Sequence, residues 1–329
     1  MAIRVLQVPL SARLAVVALH VINGALCALG LYGVARWIRN PRRATWANVY
    51  IVLTLAEAVA RGGWSPRRAG RPVGWVRRWA LWRHFRRYFD MTVVYDGKKE
   101  DLAAAKPVVL GGHPHGVIGV ALVGNAVFEN GLLPESMPYR IMATEPLFYI
   151  PLMGDWCQAL NLASVHESSV DYCLRNGIST VIVVGGVEEA LDSRPNTLRL
   201  TLASRSGFIK MALKHGAPLV PLLSFGETDI YKQIVPNPQG SFLRRVQTAL
   251  KQWAGFSVPV VELYNPRPVK VTTVVGSPIP VPKVPNPTRT DVEKWRAVYI
   301  GEVKRLYAKF SPTAYPVPHE PLRIVDAKL

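Results

Sequence analysis

The stretch "VVLGGHPHGVIGV", residues 108–120, decides how the rest of the chain is read. An apolar run with branched residues ends in two glycines, and then two histidines, a proline and a third glycine follow within four positions. Continuous runs rich in Val, Ile and Leu are the pattern of central strands covered on both faces. Glycines after such a run let the backbone turn sharply and let a ligand approach closely. Three later runs share the design. "TVIVV" (180–184) leads into Gly-Gly-Val-Glu-Glu, "PLVPLL" (218–223) into Ser-Phe-Gly-Glu, and "VKVTTVV" (269–275) into Gly-Ser-Pro. Alternation of such runs with helical patterns indicates an α/β domain. In these sheets ligands gather outside the carboxyl ends of the strands. The two histidines and the two glutamate-containing loops are therefore expected to converge on one site.

Histidine is the usual general base near neutral pH, which makes His113 and His115 candidates. The segment after Gly116 reads as a helix start, and a helix N-terminus favours the neutral imidazole that accepts a proton. The acid that orients the ring is then Glu188 or Glu189. Other chemistries lack their signatures. There is no G-x-S-x-G elbow, no phosphate-binding glycine motif and no third ligand spaced to complete a metal site, and Cys27, Cys157 and Cys173 form no C-x-x-C pair.

The 329 residues carry a net charge of +18, and 49% are apolar. The apolar excess concentrates at the N-terminus. Leu14 to Ala35 is an uncharged run of 22 residues, long enough to span a bilayer. Within it His20 and Asn23 are expected to face a partner helix. A second run, Thr45 to Ala60, is marginal for spanning, contains Glu57 and suits a re-entrant hairpin. Arginines flank it on both sides, so both flanks are placed in the cytosol. "GWVRRWALWRHFRRYF" (74–89) interleaves arginine with aromatics. It is read as lying on the membrane at headgroup level, with Trp75, Trp79, Trp82 and Phe89 along one face, in preference to binding nucleic acid. The expected organisation is a membrane anchor or hairpin at 1–62, a basic aromatic interfacial segment at 63–100, and a catalytic α/β domain at 101–329 that ends in a helix over about 288–310. The C-terminal "AKL" resembles a peroxisomal address, against which the anchor argues.

"HPHG" (113–116), "VIVVGGVEEAL" (181–191), "SRSGFIKMALKHGAPLVPLLSFGE" (204–227) and "TTVVGSPIPVPKVPNPT" (272–288), in this order, resemble the type 2 diacylglycerol acyltransferase family, which also contains monoacylglycerol acyltransferases and some wax-ester synthases. The resemblance implies a diacylglycerol O-acyltransferase on a glycerolipid-acyltransferase-like fold: a mixed, largely parallel sheet flanked by helices, with an N-terminal membrane-embedded helical hairpin. It implies acyl-CoA as co-substrate with no bound cofactor or metal, a lipid acceptor such as diacylglycerol, and the membrane of the endoplasmic reticulum or a lipid droplet. It leaves a homo-oligomer open and gives no role to nucleic acid. It carries His113, Pro114, His115 and Gly116 over as the active-site motif, selects Glu189 after Gly185 and Gly186, and marks Phe225-Gly226-Glu227 as a further signature. The family often has Asn-Arg-Lys-Gly-Phe where Ser204-Arg205-Ser206-Gly207-Phe208 stand here. Related acyltransferases carry His-x4-Asp, whereas Ile118 and Val120 occupy the corresponding places in this chain. Glu189 is therefore expected to supply the missing acid and His115 to act as the base, with His113 or loop N–H groups steadying the oxyanion. Arg199, Arg205 and Lys210 are candidate contacts to the substrate, and so are Phe225 and Glu227.

Overall fold

A computed structural model describes residues 6–40, 45–60, 69–128, 131–255, 257, 259–262, 265–315 and 319–326. The first two residues of β2 (Val109–His113) and the one before it show how the sheet is covered. Val108 and Leu110 point into one apolar cluster and Val109 into another. Side chains alternate across a strand, so a run apolar at every position needs cover on both faces.

The other strands are β1 (Thr92–Tyr95), β3 (Tyr139–Ala143), β4 (Leu162–Ser164), β5 (Ser179–Val183), β6 (Arg199–Thr201), β7 (Leu219–Phe225), β8 (Thr272–Val275) and β9 (Arg323–Val325). Seven of them form one sheet in the order β1-β8-β7-β2-β5-β3-β4, and β6 pairs with β9 separately. Every pairing in the large sheet is parallel except β7 with β8. The α/β class and the mixed, largely parallel sheet expected from sequence are thus present. β1 pairs with β8 from Thr92 onward, so the sheet begins inside the segment expected to be interfacial.

One face of the sheet is covered by the helix Ala80–Tyr88 and by the start of the long N-terminal helix Leu10–Arg39. The other is covered by Glu167–Arg175, Gly207–His215 and Arg289–Ala314. The last of these starts at a capping box between Thr288 and Asp291, which satisfies backbone donors at its N-terminus.

Two sequence expectations change here. In 74–89, Trp82, Phe85 and Phe89 are core residues, and only Trp75, 61% exposed, points outward. Most of the aromatic stripe faces the sheet, where the apolar side of the helix and the open sheet face remove each other from water. Asn23 faces a helix, Met153–Ala159, whereas His20 faces Tyr231, which lies outside any helix. His20 Nε2 lies 3.0 Å from the Tyr231 hydroxyl, and Trp156 Nε1 donates to Asn23 Oδ1 at 2.8 Å. The helix Leu10–Arg39 is long and apolar enough to cross a membrane. The 16-residue helix Thr45–Ala60 touches it, with Trp46 against Gly33 and Trp37 Nε1 donating to Asn48 Oδ1 at 3.0 Å. "AKL" lies outside the described residues.

Candidate active site

β2 is a central strand, and its last residue is His113. The following peptide, His113–Pro114, is cis. The chain passes through His115 and turns back at Gly116, where φ is +60°. Only glycine takes this conformation without strain. A methyl group at Gly116 would also run into the Glu227 carboxylate. β5 ends just before Gly185-Gly186, and β7 just before Gly226-Glu227. The carboxyl ends of three adjacent strands therefore bring the loops together, as expected.

Two buried carboxylates brace the histidine loop, and both do so through backbone. Glu189 Oε2 accepts from the His115 N–H at 2.7 Å, and its Oε1 accepts from the Thr201 N–H at 2.7 Å. Glu227 accepts from the Val120 N–H at 3.0 Å and from the Ala121 N–H at 2.6 Å. Two expectations are corrected. Glu189 reaches the main chain of His115 and not its ring. The helix after Gly116 begins only at Val120, and its free N–H groups are taken by Glu227. They cannot act on an imidazole; the histidines are held neutral by burial instead. Burial lowers His113 to about 3, and it also lowers His115, partly offset by the bond to the Gly116 carbonyl. Burial likewise raises Glu189 to about 7, against the bonds from His115 and Thr201, and Glu227 to about 8, against those from Ala121 and Val120.

Hydrogen-bond geometry fixes the tautomer of His115 and, with the Tyr299 proton assigned to Gly111, that of His113. The Tyr299 hydroxyl donates to the Gly111 carbonyl at 3.0 Å and lies 3.1 Å from His113 Nε2. Its single proton is committed to Gly111, so His113 Nε2 must be the donor to it. The lone pair is left on His113 Nδ1, a buried atom with no hydrogen-bond partner. His115 Nδ1 donates to the Gly116 carbonyl at 3.1 Å, which leaves its Nε2 as the acceptor. Each ring thus offers one unprotonated nitrogen, and His113 has no proton left to steady an oxyanion.

Tyr299 was missed from sequence. It lies 186 positions from His113, on the last helix, without a motif. The only trace it leaves is Gly111, where any side chain would strike its hydroxyl.

The remaining candidates divide. Arg205 Nη2 donates to the Gly185 carbonyl at 3.0 Å, so it belongs to the cluster. Arg199 lines a cleft of about 350 Å³ with Glu188, Asp192, Thr201 and Val325. Thr201 joins this cleft to Glu189. Lys210 is exposed on Gly207–His215. Phe225 is a core residue packed against Tyr307 and Tyr315, so it does not line the loop. Among the described residues no group of three or more His, Cys, Asp or Glu is placed to hold a metal.

The family model described as "Diacylglycerol acyltransferase" matches residues 44–323, from the second helix to the first residue of β9. The chain belongs to the diacylglycerol acyltransferase family. Among its relatives, 2-acylglycerol O-acyltransferase 1 of Homo sapiens is 36% identical over 277 residues, 78% of this chain and 80% of that protein. Diacylglycerol O-acyltransferase 2 of Dictyostelium discoideum is 38% identical over 258 residues, 73% and 76% of the respective chains. A solved 1-acyl-sn-glycerophosphate acyltransferase from Thermotoga maritima aligns over 91% of this chain and 95% of that one, with 13% identity and a TM-score of 0.45. The glutamate-braced loop described above lies wholly within the span the family model matches.

Proposed function

We propose that this protein moves a fatty acyl group from acyl-CoA to the free hydroxyl of diacylglycerol, forming triacylglycerol. The observation that carries this reading is the match to the diacylglycerol acyltransferase family over residues 44–323, which contains the neutral histidine loop at the end of the central strand.

The acceptor oxygen attacks the thioester carbonyl while its proton passes to an imidazole nitrogen. Backbone N–H groups of the glycine loop hold the tetrahedral oxyanion. The C–S bond then breaks, and the CoA thiolate leaves and takes up the proton. The reaction as written needs neither a metal nor an acyl-enzyme. His115 is the base in the reading that began with sequence, and its free Nε2 supports it. A second reading, with His113 as the base, is favoured by one observation: its Nδ1 is a buried acceptor without a partner. Such an atom costs free energy until a hydroxyl arrives. Glu189 then acts as a positioning residue for the loop. Arg199, in the cleft, and Arg205, on the Gly185 carbonyl, are proposed to meet the CoA phosphates.

Residues 1–62 are proposed to form a membrane-embedded hairpin. They would hold the domain at 101–329 on the cytosolic side of the endoplasmic reticulum, with access to lipid droplets. The length and apolar character of Leu10–Arg39 support this reading.

A direct test supplies membranes containing the protein with one labelled acyl-CoA and, in turn, diacylglycerol, monoacylglycerol and a fatty alcohol. Thin-layer chromatography should resolve labelled triacylglycerol. Labelling of the monoacylglycerol alone would move the assignment toward the activity named for the human relative. No labelled ester from any acceptor would sink the proposal.

A further inference from the structure

The helix Phe242–Ala254 is amphipathic in the reverse sense for a protein surface: its polar side faces inward. Arg244 is buried, with Nη1 on Asp192 Oδ1 at 2.8 Å and Nη2 on Glu188 Oε2 at 3.2 Å. Gln247 is buried and accepts from Asn237 at 2.7 Å. Lys251 pairs with Glu188. The opposite side carries Phe242 and Trp253, 83% and 87% exposed, with Val246 and Leu250 also exposed. At 3.6 residues per turn these four fall within an arc of about 80°. The helix cannot roll over to hide them, because rolling would strand the Glu188 and Asp192 carboxylates without partners. The outward apolar face is built in.

We propose that this face docks on a lipid surface and seats the histidine loop against it. Three observations select lipid as the occupant. The face continues toward the long apolar helix: Gly255 packs on Pro146, exposed Tyr149 follows, and Pro151 abuts Gly30 in Leu10–Arg39, beside exposed Leu29, Leu31 and Tyr32. Exposed Ile234 and Val235 extend it at the other end, close to the Asn237–Gln247 bond. Phe and Trp around an exposed flanking Arg245 match the residue types that settle at headgroup level. The polar side links the surface to the chemistry. Glu188, gripped by Arg244 and Lys251, precedes Glu189, which holds the His115 N–H. This geometry brings the loop to where a water-insoluble acceptor resides. Only that purpose rests on the proposed function.

The test reads position without turnover. The full chain, with Cys27→Ser, carries an environment-sensitive NBD fluorophore at Trp253→Cys or, as a control, at exposed Lys294→Cys on the helix Arg289–Ala314. It is reconstituted in phosphatidylcholine vesicles with and without phosphatidylserine. The probe at 253 should shift to the blue and be quenched by nitroxide-bearing lipids, while the probe at 294 stays accessible to aqueous iodide. A probe at 253 that iodide reaches and lipid nitroxide does not would overturn the proposal. So would a blue shift already present in detergent that tracks dimer formation, because the occupant would then be a second copy. As a second arm, Phe242→Ser with Trp253→Ser should keep the melting temperature but lower turnover of a bilayer-borne acceptor several-fold, sparing a water-dispersed short-chain one. Equal activity of wild type and variant on both acceptors would overturn the seating role. An inactive wild type would remove the proposed function and leave the fluorescence result standing.

Discussion

Tyr299 fixes the proton of His113. With its proton assigned to Gly111 at 3.0 Å, its hydroxyl accepts from His113 Nε2 at 3.1 Å, which leaves Nδ1 bare inside the fold. This relation separates the two histidines by experiment. If His113 is the base, Tyr299→Phe loses the acceptor that selects the tautomer, and turnover should fall about tenfold, the size of a net hydrogen bond of about 1.4 kcal/mol. His113→Ala should fall by roughly 10²–10⁴-fold, as for loss of a general base. If His115 is the base, that larger loss should follow His115→Ala, and Tyr299→Phe should be mild. Steady-state kinetics with membrane amounts matched decide between them. Near-full activity of both alanine variants would end the general-base reading of this loop.

The pH profile should lack the usual histidine limb. Burial lowers His113 to about 3 and also lowers His115, so both rings lose their charge below the ordinary histidine value of 6.5. The acid-side fall in kcat/KM is expected beneath the ordinary histidine value, down to the pH at which the protein itself loses structure. A midpoint at 6.5 in that profile would show that the working imidazole is solvated.

Stability should fall between pH 6.5 and pH 8, with Glu227 as a main cause. A carboxyl raised from 4.5 to about 8 on folding keeps a proton that the unfolded chain has lost. In that window the folded state therefore binds more protons, and raising the pH favours unfolding. Glu189, raised to about 7, adds to the lower part of the window. His113 acts with the opposite sign, but only below 6.5, where its lowered value makes acid destabilising. Glu227→Gln removes the titration, so its melting temperature should vary less than that of wild type over this range. Scanning fluorimetry in detergent at several pH values makes the comparison, and an unchanged slope would contradict the assignment.

The sequence displayed the sheet centre clearly because β2, β5 and β7 lie on or continue Val/Leu/Ile-rich runs that are buried almost throughout. It hid β1 and β4, which have only four and three residues, and β3, whose apolar pattern is broken by Arg140. The site was legible wherever a glycine loop follows a strand, which is how His113, Glu189 and Glu227 were found. Tyr299 was not, since a tyrosine on a long helix looks like any core aromatic. The 74–89 segment misled for a related reason. Composition records that aromatics share a face but not whether lipid or a sheet will cover it.

Glu189→Gln tests whether the carboxylate works through the backbone. Its two oxygens accept from the N–H groups of His115 and Thr201, both at 2.7 Å. An amide has one acceptor oxygen, so one N–H would face an NH2 donor and be left unsatisfied inside the fold. That penalty is about 1–3 kcal/mol, enough to lower the melting temperature by several degrees. The loop around His115 should then loosen, lowering kcat while leaving KM for acyl-CoA close to wild type. If Glu189 instead oriented a ring, the principal effect would be on the pH profile, with stability nearly unchanged. Adding Glu189→Gln to the alanine variant of whichever histidine proves to be the base should cost little further turnover, because residues that act as a unit are not additive. The same addition should still lower the melting temperature, because the unsatisfied backbone N–H remains whichever side chain occupies the histidine position.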